Sequence, residues 1–228
     1  MSKAYIFDVF GTLVDWRSSV ARTAQQWFGQ KNIDADALAF SDYWRGRYQP
    51  AMEGIRAGGR GYIALDQLHF ENLGQTLDHF GIADQFTVKE HWEFNAAWEM
   101  LDPWSDVVEG LTKLKSKAII APCSNGSIAL MTRLAKYGKL PWDCILGADI
   151  ARNYKPVPQV YQACCDALRL EPAEVTMVAA HNDDLVAAQA SGLKTAFIAR
   201  PTEYGPGQTK DLAPTGPWDR VIETIGDL

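Results

Sequence analysis

The sequence predicts an α/β fold: a doubly wound parallel sheet with a helical cap inserted after its first strand. Three observations support this. Five short apolar runs rich in β-branched residues resemble strands that are buried on both faces. Segments of helical period separate the last four runs, as crossover helices do in a parallel sheet. A long stretch between the first two runs holds helix-like segments and no convincing strand.

Each element is assigned from its local pattern. The predicted strands are AYIF before Asp8, KAIIAPCSN from Lys117, DCILG from Asp143, VTMVAA from Val175 and KTAFIA from Lys194. The predicted core helices are SIALMTRLAKYGK, PQVYQACCDALRL and DDLVAAQASGLK, and the cap contains SSVARTAQQWFGQ, YIALDQLHFENLGQTLDHF and VKEHWEFNAAW. Each strand run ends in polar or small residues, which places a loop at its carboxyl end.

The break in the strand–helix rhythm predicts two domains. Residues 1–15 and 99–228 form the α/β core domain, and residues 16–98 form the helical cap domain. The segment IRAGGRGY, with three glycines, is the expected loop inside the cap. The segment PTEYGPGQTKDLAPTGPW, rich in proline and glycine, is expected to be irregular surface chain.

Composition restricts the class of protein. The chain has 228 residues, 47% of them apolar, which is enough for a sizeable core. A formal net charge of −6 without a dense Lys/Arg cluster argues against nucleic acid or an acidic membrane surface as a partner. Four cysteines without CxxC spacing indicate neither a zinc site nor disulfides. With no membrane-length apolar run and no signal segment before the first strand, we expect a cytoplasmic protein.

Chemically useful side chains follow the predicted strands. In open α/β sheets, ligands bind beyond the carboxyl ends of the strands. The residues at those ends are Asp8 to Thr12, then Ser124 and Asn125, then Lys155, then His181 to Asp184. A carboxylate, a hydroxyl, an amide, an ammonium and an imidazole are therefore expected to meet in one crevice.

This order of motifs resembles the haloacid dehalogenase superfamily, in which a strand-end aspartate is a nucleophile. The four family motifs correspond to DVFGT from Asp8, CSNGS from Cys123, NYKP from Asn153 and HNDD from His181. The resemblance spans nearly the whole chain, and it includes a helical cap inserted after the first motif. It implies a covalent mechanism through Asp8.

Phe10 decides which branch the sequence resembles. The phosphatases of the superfamily carry a second aspartate at this position, whose side chain protonates the leaving group and whose backbone helps to bind magnesium. Phe10 can do no acid–base chemistry. The L-2-haloacid dehalogenase branch has an aromatic residue there and works without metal. The resemblance therefore implies an (S)-2-haloacid dehalogenase that converts a small 2-haloacid to the 2-hydroxy acid through an ester of Asp8, without a cofactor.

Further roles are implied residue by residue. Lys155 would keep Asp8 ionised by its close opposite charge, and Thr12 would hydrogen-bond the Asp8 carboxylate or its loop. Ser124 and Asn125 match the family pair that binds the substrate carboxylate near the halide. Tyr161 matches a family tyrosine near the nucleophile.

Two arginines compete for the leaving halide. Arg45 matches the family arginine that receives it, and Arg47 lies close enough in sequence to take the same role. Phe10, Tyr43 and Trp44 are expected to exclude water. The resemblance also implies a homodimer, which is frequent in this branch.

The fourth motif departs from the commonest dehalogenase pattern. Many members have an asparagine where this chain has His181. Our hypothesis is that His181 is the general base for hydrolysis of the ester, with Asp183 or Asp15 orienting it. Asp184 would bridge Lys155 or orient water.

Other interpretations of the same residues stay open. Taken alone, Asp8 is equally a turn or helix-capping residue, Lys155 a solvated lysine, and Arg45 a surface arginine over Trp44. Ser124 and Asn125 are also expected to cap the following helix. The rival functions are a magnesium phosphatase, which the Asp183–Asp184 pair favours, and a non-catalytic protein that binds a carboxylate. The halogen preference is left open between chloride, bromide and fluoride.

Overall fold

The computed structural model describes residues 2–228, and the predicted fold class is confirmed. Eight strands lie within that range: β1 Ala4–Phe7, β2 Val14–Asp15, β3 Asp102–Pro103, β4 Ile119–Ser124, β5 Leu146–Gly147, β6 Val175–Ala179, β7 Lys194–Ile198 and β8 Arg220–Ile222. The α-helices of the same residues are α1 Trp16–Lys31, α2 Ala37–Gly46, α3 Tyr48–Arg56, α4 Leu65–His79, α5 Val88–Asn95, α6 Val107–Lys115, α7 Ile128–Gly138, α8 Ala148–Ala151, α9 Pro158–Leu168 and α10 Asn182–Ala190.

The main sheet is parallel, with the strand order β5-β4-β1-β6-β7-β8. Strand β1 is central and pairs with β4 on one side and β6 on the other. Its side chains alternate between two cores: Tyr5 and Phe7 join one, and Ala4 and Ile6 join the other. Burial on both faces explains why this strand is a continuous apolar run. The chain order reverses beside β1, so a crevice opens at its carboxyl end.

Three strand assignments differ from expectation. DCILG is a strand only at Leu146–Gly147, because Asp143 instead accepts a hydrogen bond from the Ile120 backbone N–H. Strand β8 was not predicted, since it lies at the sheet edge and only Ile222 of its residues is buried. The ribbon of β2 and β3 was also missed, because two-residue strands paired across a long sequence separation leave no local pattern.

Residues 16–98, hereafter the helical insert, contain α1 to α5 and no strand within the structure's described range. Their core is aromatic: Phe40 stacks on Phe94 with ring centroids 5.4 Å apart, and Phe28 meets Phe40 edge-on at 5.3 Å. Such large rings bury much apolar surface and favour these geometries. The glycine-rich segment forms the loop between α3 and α4, as predicted. No helix among residues 2–228 has the length and apolar character needed to cross a membrane.

The proline- and glycine-rich segment after β7 has no helix or strand, as predicted, but it is not simply surface chain. Glu203 and Trp218 are both buried. The Trp218 indole N–H donates to Asn182 Oδ1, which ties the segment to the start of α10. The segment therefore passes over the carboxyl end of the sheet, where the candidate site lies.

Candidate active site

Asp8 lies directly after β1, where its buried carboxylate is held at both oxygens. Lys155 Nζ donates to Oδ1 at 2.9 Å, and the Thr12 hydroxyl donates to Oδ2 at 2.7 Å. The Ala180 backbone N–H donates to the same hydroxyl, which orients it. His181 Nδ1 lies 3.0 Å from Oδ2. Burial opposes ionisation, but Lys155 and His181 outweigh it and hold the pKa of the Asp8 carboxyl well below its usual value.

Lys155 joins three parts of the site. Its backbone N–H donates to Asn125 Oδ1 at 2.8 Å, and its ammonium contacts both Asp8 and Asp184. Burial favours the neutral amine, yet the two carboxylates raise the pKa of Lys155 well above its usual value. The lysine is therefore a fixed cation, and it is not the solvated side chain of the alternative interpretation.

Asp184 and Tyr161 form the layer behind this lysine. Asp184 Oδ2 accepts from Lys155 at 2.5 Å, and the Tyr161 hydroxyl donates to Asp184 Oδ1. Tyr161 is fully buried and does not border the cavity described below. The structure thus places Asp184 in contact with Lys155, as predicted, and it places Tyr161 behind Asp184 and away from the cavity.

His181 lies between two carboxylates. Its Nδ1 faces Asp8 and its Nε2 lies 2.9 Å from Glu203 Oε2. Burial disfavours the imidazolium, but Glu203 and Asp8 outweigh burial and raise the pKa of His181 well above its usual value. With Asp8 free, His181 is accordingly a cation that bridges two anions.

Glu203 was missed by the sequence analysis, and the expected partners of His181 are wrong. The Asp183 side chain is 70% exposed and lies near Lys210, and Asp15 caps α1 by accepting from the Ser18 backbone N–H. Glu203 is 1% exposed and also accepts from the Trp16 indole N–H at 3.0 Å. Glu203 lies in the irregular segment PTEYG, where no periodic pattern indicates whether a side chain is buried.

Gly11 explains how Glu203 reaches this position. The glycine has φ +87°, and a Cβ built there would lie 2.1 Å from Glu203 Oε1. Only glycine combines this backbone conformation with such a close approach. The first loop and the segment after β7 are therefore packed against each other through a residue without a side chain.

Ser124 and Asn125 have different roles. Asn125 borders the cavity, whereas Ser124 is fully buried and its hydroxyl accepts from the Gly126 backbone N–H. The predicted capping of α7 by this pair is wrong, because Ser127 supplies the cap by accepting from the Leu130 backbone N–H. Ser124 shapes the loop that presents Asn125.

The two candidate arginines are distinguished by position. Arg45 lies 4.1 Å from the ring centroid of Tyr48 and borders the cavity. Arg47 instead donates to Gln75 Oε1 at 2.9 Å and does not border it. The geometry favours Arg45 as the arginine that meets a ligand.

These residues enclose a cavity of about 90 Å³, bordered among others by Asp8, Phe10, Arg45, Asn125, Lys155 and His181. Phe10 is buried and meets Trp98 edge-on at 5.8 Å. In residues 2–228, no three His, Cys, Asp or Glu side chains are grouped so that they could hold a metal ion. A small cavity that joins an ionised carboxylate, fixed cations and an aromatic wall suits a compact anionic ligand.

A family model of haloacid dehalogenase-like hydrolases matches residues 2–192. The chain belongs to this family. Among its relatives, (S)-2-haloacid dehalogenase 4A of Burkholderia cepacia is 35% identical over 208 residues, which cover 89% of this chain and 86% of the relative.

Solved structures of family members are also similar. The defluorinating L-2-haloacid dehalogenase Rha0230 has a TM-score of 0.97 and 48% identity, covering 99% of this chain and 93% of that one. The L-2-haloacid dehalogenase PA0810 has a TM-score of 0.96 and 44% identity, covering 100% and 97%. The predicted family and its L-2-haloacid dehalogenase branch are confirmed, and so is the prediction that the chain is a hydrolase.

Proposed function

We propose that this chain hydrolyses short (S)-2-haloalkanoic acids, including haloacetates and fluoroacetate, to 2-hydroxy acids through an ester of Asp8. The observation that carries the proposal is the ionised Asp8 carboxylate in a small cavity, with Phe10 where a phosphatase needs an acid. An Asp8 oxygen attacks the carbon that bears the halogen, the carbon–halogen bond breaks, and halide leaves with its electron pair. In-line attack inverts that carbon.

Different residues around the cavity are proposed to contact different parts of the substrate. Lys155 and Thr12 orient Asp8, so the attacking oxygen is fixed before substrate arrives. Asn125 borders the cavity beside Asp8 and is proposed to bind the substrate carboxylate. Arg45 enters from the helical insert and is proposed to receive the leaving halide, since a guanidinium is always charged.

His181 and Glu203 are proposed to drive the second step. Esterification neutralises Asp8, which removes one of the two anions that raise the pKa of His181. The imidazole can then lose its Nδ1 proton, while its Nε2–H keeps its hydrogen bond to Glu203. Neutral Nδ1 takes a proton from water as the water oxygen attacks the Asp8 carbonyl. The protonated imidazole gives this proton to the leaving alcohol, and it then takes the proton of the Asp8 carboxylic acid, which restores the starting charges. One proton and one halide are released per turnover.

Metal independence is part of the same proposal. The acids that a magnesium site would use are engaged elsewhere: Asp184 contacts Lys155 and Tyr161, and Asp183 faces Lys210. The Lys155 ammonium already supplies a positive charge beside Asp8. These contacts favour the dehalogenase over the phosphatase.

The helical insert is proposed to act as a cap domain, residues 16–98, over a core of residues 1–15 and 99–228. Arg45 and Tyr48 of the insert border the same cavity as Asp8 and Lys155 of the core, which supports this division. The homodimer and the cytoplasmic location stay predictions from sequence.

The test is halide release from chloro-, bromo- and fluoroacetate and from both 2-chloropropionate enantiomers, in EDTA. p-Nitrophenyl phosphate with magnesium is the parallel assay. We expect halide from the haloacetates and the (S) enantiomer, and none with Asp8→Asn. Phosphate release that needs magnesium, without halide, would establish the phosphatase. Activity in neither assay would favour the carboxylate-binding protein.

A second measurement isolates the base. With His181→Asn and chloroacetate, we expect intact-protein mass spectrometry to show the mass of one added carboxymethyl group per chain. Full turnover by this variant, with no added mass, would contradict the role of His181.

A further inference from the structure

An ion pair between Lys210 and Asp183 lies at the edge of the cavity. Both residues border the cavity, and their side chains are 62% and 70% exposed. Lys210 belongs to the irregular segment after β7, and Asp183 to the first turn of α10. Because both side chains reach the cavity and solvent, they mark its entrance, and we call them the entrance pair.

The entrance pair is loosely held. Lys210 Nζ lies 3.5 Å from Asp183 Oδ2 and 3.7 Å from Asp211 Oδ2, longer than the roughly 2.7–2.9 Å of a charge-assisted hydrogen bond. Burial lowers the pKa of Lys210, but Asp183 and Asp211 outweigh it and raise this pKa above its usual value, so the side chain is a cation. Exposed ion pairs contribute little to stability, so another carboxylate can replace Asp183 at small cost.

Lys210 differs from the other cations of the site in its accessibility. Four cationic side chains of residues 2–228 border the cavity: Arg45, Lys155, His181 and Lys210. Lys155 and His181 each contact two carboxylates at closer range. Lys210 alone of the four is an exposed residue. It is therefore the first of these charges that an anion arriving from solvent meets.

The overall charge of the chain gives this position a purpose. The formal net charge is −6, so the average field of the protein repels an anionic substrate. A cation at the entrance offsets this repulsion locally and raises the rate at which a small anion enters. Asp183 acts in the opposite sense, because it repels the same anion and competes with it for Lys210.

We propose that Lys210 captures the carboxylate of the arriving haloacid, which replaces Asp183 at the ammonium before the substrate passes inward. This inference rests on the proposed dehalogenase activity. Asn125, which also borders the cavity, is the proposed partner of the carboxylate once the substrate is bound. The capture precedes the chemical step, so Lys210 should affect kcat/KM and leave kcat nearly unchanged.

The test is steady-state kinetics with chloroacetate at low ionic strength. Lys210→Met removes the charge and keeps a long side chain, and we expect kcat/KM to fall roughly 3- to 10-fold while kcat stays within about twofold. Lys210→Arg keeps the charge and should retain most of the wild-type kcat/KM. Asp183→Asn removes the competing carboxylate and should raise kcat/KM by roughly two- to fivefold.

Ionic strength separates this charge effect from a change of structure. The Debye length falls from about 30 Å at 0.01 M to about 3 Å at 1 M ionic strength, so salt screens an exposed cation. Sodium sulfate raises ionic strength without adding halide. We expect the difference in kcat/KM between wild type and K210M to shrink to less than about twofold at the highest salt. A defect in packing would persist.

The pair Lys89–Glu93 provides a matched control. Lys89 Nζ lies 3.6 Å from Glu93 Oε1, the side chains are 87% and 51% exposed, and neither residue borders the cavity. Lys89→Met and Glu93→Gln change the net charge as Lys210→Met and Asp183→Asn do. They should leave kcat/KM within about twofold of wild type, because the charge is removed away from the entrance.

The outcomes separate the two proposals. No halide release by wild type from any substrate would contradict the proposed function itself. If chloroacetate is hydrolysed, an unchanged kcat/KM in K210M, or a loss that high salt does not reduce, would overturn only the role of Lys210. A loss instead of a gain in D183N would overturn the exchange, because Asp183 would then be needed to hold Lys210 in place.

Discussion

Replacing Glu203 by glutamine should stop the second step while leaving the first intact. Glu203 Oε1 accepts from the Trp16 indole N–H, and Oε2 faces His181 Nε2. In the variant, Trp16 requires the amide oxygen, so the amide NH₂ points at His181. The NH₂ then donates to Nε2, and the single proton of the neutral imidazole moves to Nδ1. Nδ1 faces Asp8 and can no longer accept a proton from water.

The magnitude follows from this change of tautomer. A carboxylate-to-amide change behind a catalytic histidine lowers kcat by about 10,000-fold in the best-studied case, where the geometry stays intact. We expect a loss of roughly 1,000- to 10,000-fold in ester hydrolysis, or about 4 to 5.5 kcal/mol in the activation free energy. Formation of the ester should change far less, because Lys155 and Thr12 still orient Asp8.

Rapid-quench halide assays and intact-protein mass spectrometry measure both steps. With chloroacetate, Glu203→Gln should give a burst of one chloride per active site and a chain that carries one carboxymethyl group. The control is Asp15→Asn, which changes the other acid expected to orient His181; Asp15 caps α1, does not border the cavity, and its replacement should change kcat less than about threefold. The reasoning is refuted if the variant turns over within tenfold of wild type, or if the chloride burst is lost.

Three further predictions concern other parts of the site. Lys155→Met should raise the pKa of Asp8, so the acidic limb of the kcat/KM profile should move up by at least about one pH unit; an unmoved limb would exclude the lysine as the main charge partner. Arg45→Met should lower kcat/KM for chloroacetate by roughly 100-fold, whereas Arg47→Met, away from the cavity, should change it less than about threefold; similar losses would contradict the assignment. Gly11→Ala should lower the free energy of unfolding, measured in urea, by about 1–3 kcal/mol, because φ is +87° and the new methyl group would overlap the buried Glu203 carboxylate. An unchanged denaturation midpoint would show that the loop can move aside.

Local sequence pattern was sufficient for the sheet centre, and the resemblance to the family supplied most residues of the candidate site. Strand β1 is buried on both faces, so each of its residues had to be apolar, and Asp8 stands out at its end. Parallel strands bring their carboxyl ends to one edge of the sheet. Asp8 and Lys155 could therefore be placed together although 147 positions separate them. Phe10 then distinguished the dehalogenase branch from the phosphatases.

Tertiary structure alone decided the partners of these residues. Glu203 lies in a segment without periodicity, and its contact with His181 depends on how that segment packs on Gly11. The spacing of apolar residues along the chain is local, so the sequence shows which segments are buried strands or helices. Which donor meets which acceptor is set by the packing of distant segments, and the sequence pattern leaves no trace of it.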